Sequence, residues 1–137
     1  MLQTTGIAYR DETWRLALAG DAQGLRAAAA LLDGYDAHRA LAFADANAGR
    51  LRDALVELHA GAQGDWPFPA AVALDTARVR YLAGDDDGAL DELSRATRSD
   101  PAVSELAVLV AARTSRLKRR ALGVVRLRDA FRLLRGS

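Results

Sequence analysis

The 137-residue chain contains no cysteine. Disulfide frameworks and thiolate zinc sites are therefore excluded. Aromatic residues make up only 6% of it, and there are two histidines and three prolines. The histidines, His38 and His59, fall on different predicted helices, and neither has a neighbour at metal-ligand spacing. Val, Ile and Thr are sparse and never alternate over a strand length, which argues against sheet. No apolar run approaches the roughly 18 residues of a membrane-spanning helix. Met1 to Tyr9 has no basic patch followed by an apolar stretch, so no secretory signal is read there and a cytoplasmic location is expected. Phosphate-binding loops, nucleophile elbows and dinucleotide fingerprints are all missing. The expectation is a chain that is not an enzyme, with no catalytic residues, no metal and no cofactor.

Alanine is what the chain has in abundance, with 30 residues. Alanine loses almost no side-chain entropy in a helix and lets helix backbones approach closely. An all-α fold in one domain is expected from this composition and length. Gly20-Asp21, Gly49-Arg50 and Gly84-Asp85 punctuate it. Each pair is predicted to end one helix and start the next. Asp85, Asp86 and Asp87 read as a helix start, where negative charge is favourable, rather than as a calcium loop. Asp100-Pro101 is a compact restart, with Asp100 as cap and Pro101 in the first turn. Trp66 and Phe68, in a loop ending at Pro69, are expected to plug helix ends. Eight helices are predicted, near 7–19, 21–33, 35–48, 50–61, 69–83, 85–98, 101–119 and 121–135. Paired in order, they form four antiparallel hairpins.

Two of these hairpins repeat each other. The stretch from Tyr35 to Gly61 overlays that from Ala70 to Ala96. Gly49 falls on Gly84, Ala54 on Ala89, Leu55 on Leu90, Glu57 on Glu92 and Leu58 on Leu93. A period in this range marks stacked helical hairpins, which cannot bury their apolar faces alone. Ala42 with Ala54, and Ala77 with Ala89, are placed to meet where paired helices cross. Leu55, Leu58, Leu90 and Leu93 are expected to fill the space beside them.

These residues resemble the tetratricopeptide repeat. Ala77, Gly84, Ala89, Leu93, Ala96 and Pro101 fall on positions of that motif, as do Leu41, Ala42, Gly49, Ala54 and Leu58 in the preceding unit. Ala73, Thr76 and His38 replace the large residues of the motif's first helix. The resemblance implies a right-handed superhelical stack of about eight helices in a single domain over 1–137. Its units are a degenerate hairpin at 6–34, repeats at 35–69 and 70–103, and a basic capping hairpin at 104–137. It also implies a protein–protein interaction scaffold whose concave groove takes a peptide segment or helix of another protein. Arg39, Phe43, Asn47, Leu74, Arg78 and Tyr81 are the groove residues on that reading. Arg39 and Arg78 would then hold a carboxylate, since arginine offers forked donors. The alternative is that both arginines are solvated or pair with Asp36, Asp45 or Asp75.

Charge is unevenly spread. Residues 113–137 carry nine basic residues and one acid, a local charge of +8 within a net +1. The basic positions are Arg113, Arg116, Lys118, Arg119, Arg120, Arg126, Arg128, Arg132 and Arg135. Val124, Leu127, Phe131 and Leu134 give the same segment an apolar side. Such a helix caps its own array, or binds an acidic surface such as nucleic acid or an anionic membrane. It also suits head-to-tail self-association against the acidic body.

Overall fold

Three helices end in the same turn. In a computed structural model describing residues 11–63, 69–96 and 100–115, Gly20, Gly49 and Gly84 all adopt positive φ. The Gly20 amide donates to Ala17 O and the next amide, Asp21, to Leu16 O. Gly49 and Arg50 repeat this onto Ala46 and Asp45, and Gly84 and Asp85 onto Tyr81 and Arg80. This is the Schellman closure, in which a left-handed residue satisfies the last carbonyls of a helix. A side chain at those φ values would be strained, which explains glycine at each turn. The residue after each glycine opens the next helix. Asp21 accepts from the Gly24 amide at 2.8 Å and Asp85 from the Gly88 amide at 3.0 Å. That amide, together with Arg80, holds the Asp85 carboxyl below its ordinary pKa.

All regular structure among the described residues is helical. The elements are α1 (Glu12–Leu18), α2 (Ala22–Leu31), α3 (Gly34–Asn47), α4 (Leu51–Gly61), α5 (Pro69–Leu82), α6 (Asp86–Leu93) and α7 (101–115). They keep the expected order, but the first begins at Glu12, after the Asp11 cap, rather than near residue 7. The sixth helix ends early: Arg95 and Ala96 donate to carbonyls three residues back, and the Ser94 hydroxyl folds onto Asp91 O at 2.6 Å. Such tightening is how helices fray to a close. The expected helix at 121–135, and Trp66 and Phe68, lie outside the described residues. Within them, no helix is long and apolar enough to cross a membrane.

Each of α1 to α5 packs on its successor, and α3 also packs on α1 and α5. Ala42, Ala54, Ala77 and Ala89 are fully buried, as the close crossings require. Leu58 and Leu93 are buried beside them and Leu55 packs against the core from its edge. Leu90 departs from expectation, being 47% exposed. It lies about 100° of helix rotation from Ala89, as Leu55 does from Ala54, but Leu55 is covered because α5 packs beside its helix. α7 completes the core through Ala102, Val103, Leu106 and Val110.

Candidate functional site

α1, α3 and α5 meet around a cluster of two arginines and two aspartates. The site begins with a helix cap. Asp11 caps α1 by accepting from the Trp14 amide at 3.1 Å. The same carboxylate receives both terminal nitrogens of Arg39, at 3.0 and 2.5 Å. Arg78 Nη1 donates to it as well, at 2.9 Å. From α5, Asp75 lies 2.9 Å from Arg39 Nε and 3.4 Å from Arg78 Nη1. The Tyr35 hydroxyl donates to Asp75 at 2.6 Å. Arg39 and Arg78 come from the first helices of successive hairpins but sit one helical turn apart in the repeat: with Gly49 on Gly84, Arg39 falls on Leu74 and Arg78 on Phe43.

An aromatic stack adjoins the charges. Trp14 and Phe43 pack with ring centroids 5.6 Å apart. The Arg78 guanidinium lies 4.5 Å from the Trp14 ring, and that of Arg39 4.8 Å from Phe43. Trp14 Nε1 donates to Glu105 of α7 at 2.9 Å. Trp14 and Phe43 are both fully enclosed, and Arg78 is only 2% exposed. Among the described residues, Arg78 Nε has no acceptor.

Burial and charge compete across the cluster. Burial raises the Asp11 carboxyl, but Arg39, Arg78 and the Trp14 amide outweigh it and hold the pKa below the usual carboxylate value. Burial alone would lower Arg39, yet Asp75 and Asp11 push its pKa upward. Tyr35 is driven well above an ordinary phenol by burial and by the neighbouring Asp75 charge. Its proton is thereby fixed on the hydroxyl as a donor at neutral pH.

An open recess of about 180 Å³ lies over the cluster. Arg39, Asp75 and Arg78 line it with Asp11, Leu74 and Asp100, and Ala71 and Ala102 lie at its sides. Three of the six sequence-predicted groove residues, Arg39, Leu74 and Arg78, thus share one cavity. Phe43 lies beneath it in the aromatic stack. Asn47 does not join them: its Nδ2 donates to Ala17 O at 2.9 Å and ties α3 to α1. Tyr81 also stands apart, under the guanidinium of Arg113 at 4.0 Å. The Asp75 pairing agrees with the alternative expected for the arginines. Asp11, Trp14 and Glu105 were not among the expected site residues. The only local hint was an aspartate three residues ahead of a tryptophan at a helix start.

The basic segment is described only at its beginning. Arg113 pairs with Asp86 through Nε and Nη2 and donates to Tyr81 O at 2.7 Å. Its charge is directed at the α5–α6 junction. Arg116, Lys118, Arg119, Arg120, Arg126, Arg128, Arg132 and Arg135 lie outside the described residues. No group of acids and histidines among the described residues is arranged to hold a metal ion.

Compared with protein-family models, curated proteins and solved structures, the chain finds no match.

Proposed function

We propose that this chain is a non-catalytic protein-interaction module of tetratricopeptide-like build, and that its docking face is formed by α3 and α5. One observation carries the reading: this face already grips a helix. It holds α1 through the Asp11 carboxylate and the Trp14 ring, using Arg39, Arg78 and Phe43, while Glu105 of α7 adds an indole hydrogen bond from beside it. Laying a helix against a groove is a general mode of peptide recognition. A partner helix or extended peptide would approach over the recess beside Asp75 and Leu74. The recurring Schellman turns support the stacked-hairpin architecture on which this face depends. Proton-transfer chemistry has little to work with, because Asp11 and Asp75 are committed to arginine.

Site-specific photocrosslinking tests the reading. A benzophenone side chain at position 71 lies on the recess, whereas one at the exposed Val56 does not. Mass spectrometry then identifies the segments captured from lysate. A small set of segments captured at position 71, and absent at position 56, is expected. Equal and indiscriminate capture at both positions would refute the docking face.

A further inference from the structure

The recess as it stands is lined by two arginines and three aspartates, which gives it a net negative charge. An incoming anion is repelled by such a surface. Yet Arg39 and Arg78 converge on one carboxylate, and that carboxylate sits at the start of α1 rather than on α3 or α5. Asp11 contributes one full charge. Without it the lining is neutral, and three guanidinium nitrogens from two helices are left aimed at one empty, carboxylate-shaped place. The arginines themselves are held in position by Asp75, which Tyr35 fixes in turn. The receptor is therefore organised from within α3 and α5, and Asp11 fills it without building it.

The geometry points to Arg39 and Arg78 as a receptor for a single carboxylate, occupied here by Asp11 and able to exchange it for an acidic side chain from outside. This rests on the reading of α3 and α5 as the docking face. The chemistry of the incoming segment is read from α1 itself: an acid, two spacers and a large aromatic, in helical form. Asp11 and Trp14 occupy the place such a segment would take, so the chain competes with its own partner. The exchange is one of ion pairs only, and no covalent bond changes.

Chemical rescue tests the receptor in the full chain. Asp11→Ser keeps a side-chain oxygen to cap α1 and removes the carboxylate. Its thermal midpoint is measured against increasing sodium formate, with sodium chloride at equal ionic strength as reference. Formate is small enough to take the vacated place, and ligand binding to the folded state raises the midpoint. A rise of about 3 °C or more in formate over chloride is expected for Asp11→Ser, with none for the wild type. Equal behaviour in the two salts overturns the receptor. If Asp11→Ser does not fold in either salt, the near-isosteric Asp11→Asn is titrated with a labelled peptide of residues 11–19. Binding at least about tenfold tighter than to the wild type is expected, because an amide competes less well than a carboxylate for arginine. Equal affinities overturn the proposal. Formate rescue combined with failed photocrosslinking would retire the docking face and leave the receptor standing.

Discussion

Trp14 and Glu105 lie 91 residues apart in sequence, and the indole nitrogen of one donates to the carboxylate of the other at 2.9 Å. The bond links the first described helix to the last. Trp14 meanwhile stacks on Phe43 and lies beneath Arg78, so a single side chain touches α3, α5 and α7. Trp14→Phe removes the donor and also shrinks a fully enclosed ring. Glu105 is exposed, so solvent weakens the bond to about 1 kcal/mol, and with the cavity a total loss of about 2–3 kcal/mol is expected. A double-mutant cycle with Glu105→Ala, which removes the acceptor, read by urea denaturation, should show coupling of about 1 kcal/mol. Strict additivity would mean that the bond contributes nothing.

Ala89 and Asp91 sit two residues apart on α6 with opposite burdens. Ala89 is fully buried, whereas the side chain of Asp91 is 71% exposed. Ala89→Glu forces a charge and extra volume into a close crossing, at a cost of about 3 kcal/mol or more. Asp91→Glu should change stability by less than about 0.5 kcal/mol. Circular dichroism melts of the two variants check the difference. Equal tolerance would show that the hairpin register is misplaced.

Gly61 is held by a neighbour rather than by its backbone angle. A Cβ added there would lie 2.7 Å from the Cβ of His38 across the α3–α4 pair. That atom belongs to the rigid base of its side chain, so the helices themselves must separate. Overpacking of this kind costs about 1–3 kcal/mol, against roughly 1 kcal/mol regained in helix propensity. Gly61→Ala is expected to lower the melting temperature, and Gly61→Ala with His38→Gly to recover much of the loss.

The charge cluster gives stability a pH profile with two limbs. Asp11 has a folded pKa below its unfolded value. Its contribution is present above about pH 4 and disappears as pH falls through the lower folded value. Tyr35 has a folded pKa above its unfolded value. Its contribution is full below about pH 10 and declines as pH rises beyond that point. Tyr35→Phe should therefore flatten the alkaline limb, and Asp11→Asn the acid limb. Denaturant midpoints collected from about pH 2 to about pH 11 check both.

Arg113 supplies a bidentate pair to Asp86, a bond to Tyr81 O and a stacking contact with the Tyr81 ring. Lysine keeps the charge but not the planar fork. Arg113→Lys is expected to cost about 1–2 kcal/mol, with the loss concentrated in protection of α7. Hydrogen exchange measured on α7 and α5 separates this from a uniform decline.

The fold was legible because its instructions are local. Gly20, Gly49 and Gly84 declare the turns, Asp21 and Asp85 cap the helices that begin after two of them, and Ala42, Ala54, Ala77 and Ala89 mark the crossings. Each signal lies within a few residues of the structure that it specifies. The site was legible in part, since Arg39 and Arg78 both lie on the first helices of the repeated hairpins, where the resemblance places the groove. The seat taken by Asp11 could not be read this way. Its bonds join residues 28 and 67 positions apart, and no periodicity links α1 to α5. Leu90 failed for a further reason: the repeat assigns it a place equivalent to Leu55, but burial depends on which neighbours a given helix has.

The three Schellman turns also set an order of events. Each closes through bonds spanning no more than five residues, whereas the seat of α1 waits on partners 28 to 91 residues away. Short loops close fastest, and distant pairings are made once the intervening chain is arranged. The hairpins are thus expected to form early during refolding, with the fluorescence of Trp14, read in a Trp66→Phe background, reporting its burial as a separate, slower phase.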